Sequence, residues 1–383
     1  MITELYNRTI TNHIKNWFFK NKILIIYGAR QVGKTTLVES LIQEFQGDKK
    51  CLYVDCDLIS NRLILESQSK EELTKNFGGY DIVVIDEAQR VLNIGINLKI
   101  MHKYLKDTQI IATGSSSFDL ANKVNEPLTG RNLEFSLYPL SISELISTKG
   151  KLEVKNDLTN ILRFGLYPDI YNQNEADAIK FLNKISNDYL YRDLLEFSDI
   201  RRSDVMYKLL QILATSIGRE CTYTELGVKV GLNRITTEKY LDLLEKCFVI
   251  KTLRPYKNNL EKEISKPFKI YFWDIGIRNS IINNYSIDQL NSDIGFLWEN
   301  FCVVERIKRN KNTGKECKYY FWRTTDQQEI DLIEDDGNRL ECFEFKWNPN
   351  VRAKTKFPEI FNTTYPNSSF TVIDNSNWID YLS

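Results

Sequence analysis

The sequence predicts an α/β protein: an N-terminal parallel sheet, a helical connector, a module of three short helices and a strand, and a strand-rich C-terminal third. Three observations carry this. Short, continuous apolar runs alternate with helical stretches over residues 1–150, as in a parallel sheet covered on both faces. Helical periodicity with cap and stop residues then repeats three times within 204–258. Strand patterns return after Lys266 and end in a hairpin signal at Asp336-Gly337-Asn338.

Met1 to Phe19 reads as an amphipathic helix through Leu5, Ile10, Ile14 and Trp17. Strand Ile23–Tyr27, a glycine loop and a helix from Thr35 to Phe45 follow, then strands Cys51–Asp55, Ile82–Asp86, Gln109–Thr113 and Leu133–Leu137. Residues 151–203 read as a helical lid or connector, with the pattern strongest over Leu158–Ser198. In 204–258, VMYKLLQILATSIG ends at Gly218, TYTELGVKVG runs from a Thr222 cap to Gly231, and NRITTEKYLDLLEKC precedes the strand FVIKTLRPY. Three helices and a strand in this order are the winged-helix pattern. In 259–383 the strands are Lys269–Phe272, Tyr319–Trp322, Ile330–Ile333 and Cys342–Lys346, with a helix at Gly295–Lys308.

Lys plus Arg and Asp plus Glu both count 51, so net charge gives no support for a polyanionic partner, although a basic face can hide inside a neutral total. Seven scattered cysteines without a C-x-x-C pair argue against a zinc ribbon or a disulfide framework and for reduced thiols in a cytoplasmic protein. The first residues carry no apolar signal core, and no run approaches the roughly 18 apolar residues of a membrane span, so no membrane partner is expected.

GARQVGKTT, Gly28 to Thr36, fits G-x-x-x-x-G-K-S/T between an apolar strand and a helix. Gly28 and Gly33 let backbone N–H groups turn inward around phosphates, and the helix dipole points at the same place. Lys34 is placed for the β- and γ-phosphates of ATP, Thr35 for Mg²⁺, and Thr36 for the phosphates. YDIVVIDEAQ supplies the partner strand, ending in Asp86 for the Mg²⁺ shell and Glu87 to orient the attacking water. QIIAT runs into Gly114, Ser115, Ser116 and Ser117, where a hydroxyl such as that of Ser115 is placed to sense the γ-phosphate; ordinary turn chemistry is the competing reading. Arg131, just before a strand, reads either as an arginine finger, in cis or across a subunit boundary of a homo-oligomer, or as a plain surface arginine.

QQEIDLIEDDGNRLECFEFKW reads as two strands whose turn sets Asp331 opposite Glu344, Glu329 opposite Lys346 and Leu332 opposite Phe343. An Asp and a Glu on one face can hold a second Mg²⁺ or Mn²⁺, and Lys346 can polarise a water beside it. Glu299, on the preceding helix, is a further acidic ligand. A helical Glu, a strand Asp and then Glu-x-Lys is the arrangement of the PD-(D/E)XK nucleases; a solvated hairpin face is the alternative. Arg234 and Lys239, with Lys251, Arg254 and Lys257 near the wing, are candidate phosphate contacts to DNA, although Glu238, Asp242 and Glu245 share that helix.

GARQVGKTTL, VVIDEAQR, ATGSSS, LTGR with LYPLSISEL, FGLYPDI, YLYRDLL, KIYFWDIGIRN, GFLWENF and FWRTTDQQEIDLI followed by EFKW occur in order between residues 28 and 347. Together they resemble the prokaryotic AAA-type ATPases with a C-terminal domain of unknown function that is restriction-endonuclease-like. The departure is LTGR, where that family often has Ala before Gly. The resemblance implies an AAA-like P-loop core, a winged helix and a nuclease-like domain. The expected function is an ATP-hydrolysing protein that acts on DNA. Its rivals are a nucleotide-controlled switch or scaffold that binds partner proteins, and a non-cutting DNA-binding ATPase.

Overall fold

The computed structural model describes residues 5–115, 128–190, 203–256 and 267–383. Ser116, Ser117, Lys257 and the end of the expected helical connector lie outside these residues.

Two compact units form, one of Asn7–Tyr138 with Lys246–Phe248, the other of the described parts of Met1–Tyr6, Pro139–Glu245 and Val249–Ser383. The first unit runs to Tyr138. Leu140 N donates to Leu166 O at 2.8 Å and Ile142 N to Glu305 Oε2 at 2.9 Å, so the chain beyond Tyr138 is held by the second unit's own elements.

In the first unit β1 (Ile23–Tyr27), β2 (Cys51–Asp55), β3 (Ile82–Asp86), β4 (Gln109–Gly114) and β5 (Asn132–Ser136) form one parallel sheet in the order β2-β3-β4-β1-β5. β1, β3 and β4 are buried along their whole length, as their mainly apolar sequences lead one to expect, with Asp86, Gln109 and Thr113 as buried polar residues. Helices Lys34–Gln43 and Ile94–Tyr104 are among those covering the sheet; Ile94, Leu98 and Met101 belong to the core with Ile23, Val83 and Ile110. Of the expected helix over Met1–Phe19, the described residues form one at Ile10–Lys15, anchored by Ile10 and Ile14, while Leu5 is exposed.

In the second unit, helices Ser203–Thr215, Tyr223–Val230 and Arg234–Lys246 precede β7 (Ile250–Pro255) and β8 (Phe268–Phe272), which pair antiparallel. Thr222 caps the second helix in a capping box with Glu225, and Gly231 ends it in the left-handed region. A two-residue strand, β6 (Glu220–Cys221), joins β8 from the other side. β7 also pairs in parallel with β9 (Lys318–Arg323), so one seven-stranded sheet continues into β10 (Glu329–Asp335), β11 (Leu340–Phe345) and β12 (Ser368–Ile373). The hairpin register is Leu332 opposite Phe343 and Ile333 opposite Cys342. Continued by one residue, it faces Asp331 towards Glu344.

The helix expected at Gly295–Lys308 runs from Ile287 to Thr313, 27 residues or about 40 Å. Its buried Arg306 forks onto Glu334 at 2.8 and 2.7 Å, and Asn310 adds a third bond to that carboxylate at 2.8 Å. β12 and the helix Trp378–Leu382, absent from the sequence reading, complete the unit; fully buried Trp378 meets Trp298 and Phe301 edge-on.

Candidate functional site

β1 delivers the glycine loop at its carboxyl end, where the strand order places β4 between β1 and β3. A Cβ on Gly28 would lie 2.3 Å from Leu137 O, and Gly33 has φ +93°, so both positions require glycine. Buried Lys34 curls back over the loop, Nζ donating to Gly28 O at 2.9 Å and Ala29 O at 3.0 Å. Thr35 and Thr36 are exposed at the start of the helix.

Asp86, at the carboxyl end of β3, meets the loop directly: Thr35 Oγ1 donates to Asp86 Oδ2 at 2.9 Å. Tyr53 OH, from β2, donates to the same oxygen. Thr113 Oγ1, from β4, donates to Asp86 Oδ1, which also accepts from Glu87 N at 3.2 Å. Four elements thus converge on one buried carboxylate. Burial and the Asp86 hydrogen bond push the Tyr53 phenol far above its usual pKa, so it stays a donor.

Glu87 sits at φ +52°, a conformation a non-glycine residue holds only at a cost. Its N–H is fixed by Thr113 Oγ1 at 3.1 Å. Its carboxylate accepts from Gln89 Nε2, which also donates to Ser115 Oγ at 2.9 Å. Gln89 therefore ties the expected water-orienting residue to the expected sensor. Arg8, nine-tenths buried, donates through Nη1 to Val32 O at 2.7 Å and through Nη2 to Tyr138 O at 2.5 Å, pinning the loop to the chain beyond β5.

Arg131 is not beside these groups. Its carbonyl accepts from Ile23 N at 2.9 Å, at the amino end of β1 and β5, the opposite edge of the sheet from Lys34. A cis arginine finger is therefore corrected: the length of a strand separates the guanidinium from the loop. A plain surface arginine fits this placement, and a finger fits it only if another copy supplies Arg131.

In the second unit Glu299, Asp331, Glu344 and Lys346 do converge, with a fifth residue among them. Lys269, 2% exposed on β8, places Nζ 2.8 Å from Glu299 Oε1, 2.5 Å from Glu329 Oε1 and 3.7 Å from Asp331 Oδ1. Tyr271 OH donates to Glu299 Oε1 at 2.7 Å. Burial pulls the Lys269 pKa down, but Glu299, Tyr271, Asp331 and Glu329 outweigh it and hold the pKa well above the usual value, so the group stays an ammonium. Asp331 Oδ2 accepts from Phe345 N at 2.8 Å, and Lys346 Nζ meets Glu344 Oε1 at 2.5 Å. Glu344 Oε2 is buried without a hydrogen-bond partner among the described residues. Burial, reinforced by neighbouring carboxylates, raises the pKa of Asp331 strongly and that of Glu344 as well.

Among the described residues no group of three or more His, Cys, Asp or Glu side chains is arranged to hold a metal. Of the expected ligands, Glu299 already shares its Oε1 with an ammonium and a phenol. Two of the expected phosphate contacts are also engaged within the protein, Lys251 with Glu245 Oε1 at 2.5 Å and Arg254 with Tyr223 OH at 3.2 Å. Arg234 and Lys239 are exposed.

Arg8, Tyr53, Thr113, Gln89, Lys269 and Tyr271 were not singled out from the sequence. Lys269 carries the clearest signal, a lysine inside the apolar run FKIYF, which is buried only where it is paired.

Residues 20–146 match the AAA domain family. Residues 155–288 match a domain of unknown function, DUF8612, and residues 294–377 another, DUF4143. An uncharacterised protein of Mycobacterium tuberculosis is 24% identical over 327 residues, covering 85% of this chain and 70% of its own length. A STAND signal-transduction ATPase with a tetratricopeptide repeat sensor from Pyrococcus horikoshii overlaps 82% of this chain at TM-score 0.31 and 11% identity; the chain spans 47% of that protein. AMPPCP-bound DnaA from Aquifex aeolicus overlaps 61% of this chain and 86% of its own at TM-score 0.29 and 15% identity. Overlaps this loose assign nothing; the family match and the loop geometry support an AAA-type, ATPase-like P-loop domain over residues 20–146.

Proposed function

We propose that the protein binds and hydrolyses ATP at the Lys34–Asp86 site and acts on DNA through its second unit. The observation that carries the ATP part is the 2.9 Å bond between Thr35 Oγ1 and Asp86 Oδ2, which joins residues 51 positions apart. A hydroxyl and a carboxylate side by side are the hard oxygen donors that Mg²⁺ takes, and the ion would supply charge neutralisation at the phosphates. Lys34 exchanges its two loop carbonyls for β- and γ-phosphate oxygens. Glu87 orients the attacking water, and the Gln89–Ser115 link reports the γ-phosphate to it. Phosphate release assays test this: Lys34→Ala abolishes hydrolysis, and Glu87→Gln keeps ATP binding while stalling turnover. Wild-type rates in both variants overturn the assignment.

The DNA part rests on the arrangement of three helices with the antiparallel strands β6, β7 and β8, which supports a winged helix. In the nuclease reading, Asp331 and the unpartnered Glu344 Oε2 are the metal ligands and Lys346 lies beside the metal. One observation favours a second reading, a DNA-binding ATPase that does not cut: the Lys269 ammonium already neutralises Glu299 and Glu329. Incubation of plasmid, linear duplex, single strands and RNA with Mg²⁺ or Mn²⁺ separates the two. Cleavage that vanishes in Lys346→Ala supports the nuclease, and DNA binding without cleavage supports the second reading.

A further inference from the structure

The amino-terminal edge of the first unit's sheet carries a groove of about 400 Å³ lined by Asn21, Lys99, His102, Lys103, Lys106 and Arg131. Four of its lining residues are formal cations, and among the described residues none is a carboxylate. In a chain with 51 basic and 51 acidic residues, that is a local concentration of one sign. Lys99, Lys103, Lys106 and Arg131 are all exposed, and no salt bridge ties them to a carboxylate among the described residues.

The geometry is regular. Lys99 and Lys103 are one helical turn apart on Ile94–Tyr104, about 6 Å along its axis, and Lys106 follows just past the helix end. His102 Nε2 lies 3.1 Å from Asn21 O, which fixes the groove floor to the segment before β1. A second recess of about 320 Å³ shares Asn21, His102 and Lys106 and adds Lys22 and Lys49. Asp107 also lines it, so the extension is positive by a smaller margin. A helix C-terminus attracts one or two lysines on its own account. A row of cations that continues from the helix to Arg131, in the turn just before β5, exceeds that need.

The groove cannot serve the phosphates of ATP, because Lys34 lies at the other end of β1. A small anion would engage one or two of these side chains, whereas a chain of phosphates engages the row. The cations line a recess rather than a convex face, which suits the raised phosphate ridge of a duplex better than a flat bilayer. We propose that this groove binds the phosphate backbone of duplex DNA, without reading its sequence. The proposal rests on the DNA part of the functional reading above and on none of its ATP chemistry.

The test is fluorescence anisotropy of a labelled random-sequence duplex with the full chain, without nucleotide, over a salt series. Three variants are compared with wild type: Lys99→Ala/Lys103→Ala/Lys106→Ala, the same positions changed to Arg, and Arg234→Ala/Lys239→Ala. The triple alanine variant should lose about ten-fold or more in affinity, with the slope of log K against log salt reduced by about 2 to 3. The triple arginine variant should retain binding, and thermal melting of the alanine variant should match wild type. Wild-type affinity in the triple alanine variant, with loss only in Arg234→Ala/Lys239→Ala, overturns the groove while sparing the DNA reading. Wild-type binding to phosphatidylserine vesicles but not to duplex overturns it as well. ATP hydrolysis, measured separately, bears on neither outcome.

Discussion

Lys269 and Glu299 form a 2.8 Å ion pair at 2% and 13% side-chain exposure, and that pair closes the acidic cluster of the second unit. An ammonium removed from water at this depth is tolerated because carboxylates surround it. Lys269→Ala leaves Glu299, Glu329 and Asp331 repelling one another in a buried site. The expected loss is about 3–5 kcal/mol of unfolding free energy in urea. Lys269→Met combined with Glu299→Gln should recover part of it. A loss below about 1 kcal/mol, the size of an exposed pair, would show that the cluster is solvated.

Arg8 reaches across to the nucleotide loop, bonding Val32 O and Tyr138 O from a buried position. Bonds from a charged donor contribute about 1.5–3 kcal/mol, so Arg8→Ala should lower stability by about 2 kcal/mol. The loop also loses its anchor next to Gly33, so affinity for a fluorescent ATP analogue should fall more than stability alone explains. Arg8→Lys restores charge but not the fork and should recover only part of the affinity. An alanine variant that binds nucleotide normally removes Arg8 from the site.

Arg131 lies at the sheet edge away from Lys34, so it can meet a γ-phosphate only from another copy. Mixing Arg131→Ala with Glu87→Gln protein then creates some interfaces in which a wild-type Glu87 meets a wild-type Arg131. Hydrolysis above the sum of the separate variants is the expected result. Arg131→Ala protein that turns over at the wild-type rate alone excludes the finger in any form.

The strands of the first sheet were legible because parallel strands buried on both faces read as unbroken apolar runs, and Ile82–Asp86 has the predicted bounds. Asp331, Glu344 and Lys346 were legible as neighbours because period-two alternation and one register decide which side chains share a face. The rest depends on contacts that no local pattern encodes. Lys269 comes from a strand 30 residues before Glu299, and Tyr53 reaches Asp86 only because β2 pairs with β3. β12 is amphipathic and partly exposed, and its pairing partner β11 is a long-range choice of the fold.

Asp331 and Glu344 face each other with more negative than positive charge around them: Glu299, Glu329, Asp331 and Glu344 against Lys269 and Lys346, with Arg323 only at 3.9 Å from Glu329. Burial raises the Asp331 pKa above its unfolded value. The stability such a group contributes is fully present below the unfolded pKa, near 4, and is lost as pH rises through the folded value. Asp331→Asn keeps an acceptor for Phe345 N–H without the charge. It should therefore raise the melting temperature at pH 8 and flatten the fall in stability between pH 4 and pH 8. Mn²⁺ supplies the missing positive charge by another route, so millimolar Mn²⁺ should also raise the wild-type melting temperature at pH 8, and Asp331→Asn should remove that increment. If Asp331→Asn is destabilised at every pH, the carboxylate is needed for its bonds rather than held against its charge. If Mn²⁺ shifts wild type and Asp331→Asn alike, the ion binds elsewhere, and Asp331 is not its ligand.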